Sequence, residues 1–289
     1  YRLLNHYNSI FNNFIPQSYK SSLVIPILKP NKNKTLLESY RPISLNPCCS
    51  KVLDKIISCR LWWFVTTYNL LNPNQIGFRK GKSVMDALLF LDHTILDSLS
   101  SKKHLSLISL DFTKAFDKIG IHSILDQLKN WKIGPKIINY IYNFLPNRKI
   151  IVRVGKFFSS TRPLHNGIPQ GSPLSVILFL IAYNRLADIM SMHKEIQFCA
   201  YADDFNIIIK NKRDKNITTD LNNLFLDINS WCLYSGAVLS LPKSKHLHLC
   251  RKIDCNCIIL ANNYQIENVS NMRILGLIIN KRYNWQNHI

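Results

Sequence analysis

Short apolar runs that stop on carboxylates constrain this chain more than any other feature. Leu105 to Leu110 reads as a core strand that delivers Asp111 at its end. Ile196 to Tyr201 and Phe205 to Lys210 read as two further strands around Ala202-Asp203-Asp204, which puts both acids in a β-turn. Adjacent side chains of a plain strand point to opposite faces, whereas a tight turn lets both reach one point. Asp111 can sit beside that turn if its strand pairs with theirs. An Asp-Asp pair alone is ordinary turn chemistry. Here the acids follow apolar strands, where an unpaired carboxylate is costly without a cation. Hard divalent cations take carboxylate oxygens, and two of them roughly 3.5–4 Å apart suit phosphoryl transfer.

The rest of the chain alternates helical and strand patterns without an internal repeat or a low-complexity linker. Leu23 to Ile25, bounded by prolines, reads as a strand between loops in an Asn- and Lys-rich first stretch. Apolar residues at helical spacing predict amphipathic helices over 50–68 and, capped by Ser83, up to Leu99. Helices are also expected near His122 to Asn130, Pro135 to Phe144, Leu174 to Met190 and Ile217 to Tyr234. Ile150 to Val154 and Lys156 to Ser160 flank Gly155 as a hairpin. The fold class is α+β.

With 37 Lys+Arg against 17 Asp+Glu the formal charge is +20, which favours a polyanion, either nucleic acid or an anionic membrane. No apolar run is long enough for a membrane span, since Leu174 to Ala187 is broken by Ser175, Asn184 and Arg185. The start lacks both a signal-peptide core and an initiator Met, so a piece of a longer intracellular protein is expected. The 8 cysteines are scattered and read as reduced thiols. His246, His248, Cys250, Cys255 and Cys257 could hold zinc, but they lack paired CxxC spacing and read better as side chains of a strand with one wetted face.

Tyr201-Ala-Asp-Asp204 resembles the metal-binding turn of reverse transcriptases, and Leu110-Asp-Phe-Thr-Lys-Ala-Phe-Asp117 resembles their first catalytic motif in its non-LTR, LINE-type form. Further similarity follows in chain order: Tyr40-Arg-Pro-Ile-Ser-Leu45 with Ser50-Lys-Val-Leu-Asp-Lys55, Gln75-Ile-Gly-Phe-Arg-Lys-Gly81, and Gly167-Ile-Pro-Gln-Gly-Ser-Pro-Leu174. It continues through Leu239 to Leu247 and Ile274-Leu-Gly-Leu277 to Trp285 and His288-Ile289. Four residues alone are weak evidence; seven motifs in order are strong.

The resemblance implies roles residue by residue. Asp111, Asp203 and Asp204 would bind two Mg²⁺ ions, or Mn²⁺, with the backbone carbonyl of Phe112 as a further ligand. Phe116 is similar to the steric gate that selects deoxynucleotides, the alternative being core packing. Gln170 would lie against the incoming nucleotide, its glycine neighbours permitting close backbone approach. Arg41, Lys51 and Arg79 fall in motifs whose basic side chains hold the triphosphate, or else are solvated charges. Lys243 matches a proton donor to pyrophosphate. Leu275 and Gly276 lie in a hairpin that resembles the primer grip, a buried strand pair with Gly276 at a bulge being the other description. Trp62, Trp63 and Tyr68 could stack on template bases, although such a stripe is more often core. Ser240 stands where the family usually has Asn, and Arg185 where it is often acidic.

The implied fold is a right hand with an antiparallel palm sheet backed by helices and a largely missing thumb. Residues 1–104 are expected mainly in the fingers, 105–119 and 166–270 in the palm, 120–165 in an insertion between them, and 271–289 in the primer grip and start of the thumb. The implied function is RNA-directed DNA synthesis from an RNA template, a DNA primer and deoxynucleoside triphosphates, without a membrane and with an endonuclease domain elsewhere in the full-length protein. A eukaryotic retrotransposon would place it in the nucleus. A group II intron-type enzyme and a decayed or domesticated RNA-binding copy are the alternatives, with an RNA-dependent RNA polymerase a weaker one.

Overall fold

The computed structural model describes residues 1–289 apart from 13, 102–103, 212–216, 250–258, 262–263, 285–287 and 289. In chain order the elements are α1 (Arg2–Asn12), β1 (Ser21–Leu28), β2 (Tyr40–Leu45), α2 (Cys48–Thr67), α3 (Val84–Ser100), β3 (His104–Leu110) and α4 (Ala115–Lys118). Then come α5 (Ile121–Asn130), α6 (Pro135–Phe144), β4 (Arg148–Val154), β5 (Phe157–Phe158), β6 (Arg162–Leu164), α7 (Ser175–Met192), β7 (Ile196–Tyr201) and β8 (Asp204–Asn211). The last are α8 (Ile217–Ser235), β9 (Lys245–Leu249), β10 (Leu260–Ala261), β11 (Tyr264–Gln265), β12 (Glu267–Asn268), β13 (Asn271–Ile274) and β14 (Leu277–Asn280).

The contacts divide the chain into two compact units, one of residues 1–71 and 116–182, the other of 72–115 and 183–289. Residues 72–104, expected mainly among the fingers, fall in the second unit. The reason is visible in α3, whose Ala87, Leu91, Ile95 and Leu99 share one buried cluster with Leu105, Leu107, Ile208 and Leu247 of the sheet. Ser83 and Asp86 cap that helix reciprocally, the Ser83 hydroxyl accepting from the Asp86 N–H while the Asp86 carboxylate accepts from the Ser83 N–H.

The first unit holds the sheet β2-β1-β4-β5, with β6 also paired to β4. β1 runs antiparallel to β2 and parallel to β4. Pro26 pairs with Pro42 beyond the stretch of β1 that β4 occupies, so neither missing N–H interrupts a central ladder. α2 buries Leu53, Asp54, Ile57, Leu61 and Val65 at helical spacing. Of the aromatic stripe, Trp62 is half-buried, whereas Trp63 and Tyr68, the latter just past the helix end, are exposed.

The second unit is built on the sheet β12-β9-β3-β8-β7. The expected antiparallel sheet holds for β9-β3-β8-β7, while β12 joins β9 in parallel and makes the sheet mixed. β9 corrects the wetted-face reading, because it is flanked by β12 and β3 and buries both His246 and His248. Burial, with His248 and Lys281 nearby, pushes the His246 imidazole down to about 4, so it stays neutral and tolerates a dry strand. Cys250, Cys255 and Cys257 lie outside the described residues. By length and composition α7 could cross a membrane, but most of it is buried within the protein, as expected of a core helix.

Candidate active site

The β3–β8 ladder places the acids. Its last pair is Leu110↔Phe205 in antiparallel register, so the next positions on the two strands, Asp111 and Asp204, face each other. Directly opposed residues carry their Cβ atoms about 4.5–5.5 Å apart. β7 and β8 close on Tyr201↔Asp204, which leaves Ala202 and Asp203 as a two-residue turn. Both acids lie in the four-residue turn 201–204, Asp203 at its centre and Asp204 as its last residue and the first of β8. Ala202 takes φ 57°, a left-handed conformation that a tight hairpin requires and a small side chain tolerates.

Electrostatics joins what the register aligns. The Asp204 carboxyl keeps a solvent-exposed edge, yet it is pushed up to about 6, first by desolvation and then by the charges of Asp203 and Asp111. The buried Tyr183 hydroxyl is raised well above the usual phenol range, chiefly by burial and next by Asp203. Phe112 forms the floor, with edge contacts to Tyr183, Phe205 and Trp231 at ring separations of 5.6, 5.6 and 5.9 Å.

The backbone beyond Asp111 bridges Leu239 through Thr113 N–H to Val238 O (2.9 Å) and Ser240 N–H to Asp111 O (2.8 Å). This pairing passes over the carbonyl of Phe112 itself. The Ser244 hydroxyl accepts from Asp111 N–H at 3.3 Å and donates to Ser240 O at 2.9 Å. Ser240 therefore contributes through its main chain. Lys243 lies exposed in the turn that follows.

Three carboxylates and a carbonyl outside the bridge are a hard-oxygen donor set, right in kind for Mg²⁺. Desolvation, and after it the charges of Asp203 and Asp111, disfavour the ionised Asp204 carboxyl, a cost that a cation would offset. The side chains are not drawn into a finished cage: among the described residues no group of three or more His, Cys, Asp or Glu is arranged to hold a metal ion.

Gly77 supports this hairpin in a way the sequence did not disclose. Residues 74–77 run beside β7, with Ala200 N–H donating to Asn74 O (2.9 Å) and Ile76 N–H to Ala200 O (2.8 Å). A Cβ at Gly77 would stand 2.2 Å from Ala202 N, so only glycine fits under the turn. Arg79, two residues on, donates to Asn72 O (3.0 Å) and Gln75 O (3.3 Å) and is half-buried, which holds this segment's shape. Arg185 is likewise engaged, its guanidinium 5.2 Å from the Tyr234 ring.

The primer-grip candidate is a two-residue hairpin between β13 and β14, closed on Ile274↔Leu277. Leu275 (φ 49°) and Gly276 (φ 94°) are both left-handed, so Gly276 belongs to a tight turn and not to a bulge. Trp285 and Ile289 of the neighbouring motif lie outside the described residues.

Arg41, Lys51, Phe116 and Gln170 belong to the other unit. Arg41 is exposed on β2, and Lys51 is half-buried at the start of α2. Phe116 is half-buried and stacks on Phe179, with ring centroids 4.4 Å apart and 17° between planes. Gln170 is held at both ends: its Nε2 donates to Asp117 (3.1 Å), and its carbonyl accepts from Ser44 N–H (2.7 Å). Gly171 (φ 136°) lets Ser44 approach, since a Cβ there would lie 2.2 Å from Ser44 O. Beneath this loop the fully buried Asp54 accepts from the hydroxyls of Ser172 (2.7 Å) and Tyr140 (2.9 Å). Arg148 donates to Leu145 O, Asn166 O and Gly167 O, and burial pushes its guanidinium down to about 10.

Residues 27–279 match the family described as reverse transcriptase (RNA-dependent DNA polymerase). The chain is 25% identical over 292 residues to a probable RNA-directed DNA polymerase from transposon BS of Drosophila melanogaster, covering 98% of the chain and 32% of that protein. It is 24% identical to the RNA-directed DNA polymerase from mobile element jockey of the same species, covering 98% of the chain and 31% of the relative. The chain thus spans about a third of these curated relatives. Among solved structures, apo telomerase from Candida tropicalis matches with TM-score 0.64 and 13% identity over 95% of this chain and 57% of that one. That likeness identifies the right-hand polymerase fold. The chain belongs to the reverse transcriptase (RNA-dependent DNA polymerase) family.

Proposed function

We propose that this chain catalyses RNA-directed DNA synthesis by adding deoxynucleotides to the 3′-hydroxyl of a DNA primer. The observation that carries the proposal is the register that sets Asp111 opposite Asp204 and hangs Asp203 in the adjoining turn, with the acids electrostatically coupled. In this reading Asp111, Asp203, Asp204 and the Phe112 carbonyl hold two Mg²⁺ ions. When bound, such a pair of ions lowers the pKa of the attacking hydroxyl and neutralises the leaving pyrophosphate.

The chain's own residues do the remainder. The ladder behind Asp111 and Asp204 keeps both backbones fixed, so reorganisation is confined to carboxylate rotamers. Gln170, clamped by Asp117 and Ser44, presents a rigid edge to the nucleotide. Phe116, backed by Phe179, supplies a flat wall against a ribose 2′-hydroxyl. Arg41 and Lys51 are solvent-accessible and suit triphosphate oxygens, whereas Arg79 acts mainly as a strut for the 72–79 segment. In this reading Lys243, exposed in its turn, would serve as the proton donor to pyrophosphate, and the Leu275-Gly276 turn would serve as the primer grip. RNA as template accords with the named activity of the transposon relatives and with the formal charge of +20.

Primer extension on poly(rA)/oligo(dT) with Mg²⁺ tests the proposal. Incorporation is expected, and it should fall by at least about a thousandfold in Asp203→Asn, the loss typical of removing a main electrostatic contributor. Tight RNA binding without incorporation by the unsubstituted chain would overturn it in favour of a decayed copy.

A further inference from the structure

The hairpin formed by β4 and β5 displays side chains that its own fold does not use. Every residue from Arg153 to Pro163 is exposed, and Phe157 is 82% and Phe158 62% accessible. Aromatic rings contribute most by being buried, and a short two-stranded ribbon is the least self-sufficient β unit. Along this stretch the charge has one sign. Residues 148–166 contain no Asp or Glu, while Lys149, Arg153, Lys156 and Arg162 are exposed cations. Arg148 stands apart from this set because it is buried on the loop carbonyls.

The geometry pairs charge with ring. Arg153 faces Phe158 across the ribbon, its guanidinium 5.6 Å from the ring centroid and anchored by Nε to Gly155 O at 2.9 Å. The adjacent pair, Val154↔Phe157, places the other ring on the opposite face. Gly155 turns the chain at φ 59° with open space around it.

We infer that the Arg153–Phe158 hairpin is a binding element for single-stranded RNA, with Phe157 and Phe158 as stacking platforms and the flanking cations as phosphate contacts. The inference rests on the polymerase reading above, which supplies an RNA template. Charge complementarity selects a polyanion. The two flat, accessible rings select one whose bases are unpaired, since a duplex hides its base faces and an anionic vesicle has none.

The test is fluorescence anisotropy with a labelled single-stranded 20-mer of oligo(U), in the absence of Mg²⁺, primer and nucleotides. Phe157→Ala combined with Phe158→Ala should weaken binding about 5- to 100-fold, with the salt dependence unchanged. Arg153→Ala and Lys156→Ala should instead flatten the log–log salt slope by about 0.7 each. Both pairs lie outside the core, so circular dichroism should match the unsubstituted chain. Binding within twofold of the unsubstituted chain after loss of both rings overturns the inference. So does an equal loss on duplex RNA, a loss seen with single-stranded DNA alone, or a ring-dependent capture by anionic vesicles. Primer extension by the unsubstituted chain reports the catalytic proposal separately: extension without ring-dependent binding sinks only the hairpin, and ring-dependent binding without extension sinks only the catalysis.

Discussion

Asp54→Asn offers the sharpest physical test of how the loop bearing Gln170 is held. Asp54 is fully buried, and burial pushes its carboxyl from the usual 3.8 to about 6 despite the hydroxyls of Ser172 and Tyr140. A shift of about two units corresponds to roughly 3 kcal/mol of differential stability. Because the folded pKa is raised, that stability is fully present below about pH 4 and is lost as pH rises through about 6. Asparagine removes the ionisation and also turns one of the two acceptors into a donor, at a cost of about 1–3 kcal/mol. The variant is therefore expected to be less stable than the parent at pH 4 and close to it at pH 7. Urea unfolding of both proteins between pH 4 and pH 7 measures the difference, which should change by roughly 3 kcal/mol over that range. Other titrating acids cancel in the subtraction. A difference constant to within about 1 kcal/mol would show that Asp54 is not desolvated and would refute the reasoning.

Three further outcomes follow from the site. Asp204→Asn should raise the melting temperature in metal-free buffer more at pH 7.5 than at pH 5, because stability tied to this raised carboxyl is lost as pH climbs through about 6; scanning fluorimetry should also show Mg²⁺ stabilising the parent and not the variant. Gly77→Ala forces a methyl to within 2.2 Å of Ala202 N, so a stability loss of about 1–3 kcal/mol and a disproportionate fall in kcat are expected, and undiminished primer extension would contradict the support that Gly77 gives the turn. Phe116→Ala should admit ribonucleotides, lowering the ratio of kcat/KM for dNTP over rNTP at least about tenfold; an unchanged ratio would leave Phe116 as a packing partner of Phe179 alone.

What could be read from the chain divides by the range of the interactions. The strands around Asp111 and Asp203 were legible because a core strand is a run of apolar residues and a carboxylate at its end breaks the run. α3 was legible because Ser83 is a local signal, and its capping box is there. α1 was missed: it has no acidic first turn, and Leu3 and Leu4 face water, leaving only Tyr7 and Ile10 to mark an inner face. The histidines of β9 misled because alternation cannot distinguish a wetted face from a neutral imidazole in a central strand. Gly77 and Asp54 were opaque for a related reason. Their partners, Ala202 and Ser172, lie more than a hundred positions away, and nothing near either residue announces the contact.

The acids of the site are affordable only because their backbones are fixed before any cation arrives. Ser240 N–H donating to Asp111 O and Asp111 N–H donating to the Ser244 hydroxyl tie down Asp111, the β7–β8 closure fixes Asp204, and Gly77 supports the turn that carries Asp203. Each tie is to main chain, so none consumes a carboxylate oxygen. Desolvation first, and the neighbouring acids second, raise both the Asp204 carboxyl and the Tyr183 hydroxyl. A protein selected for stability alone would place neutral residues at these strand ends. Asp111 opposite Asp204, with Asp203 in the adjoining turn, all on a frame held through the main chain, is the physical reason for the proposal that the second unit seats divalent cations.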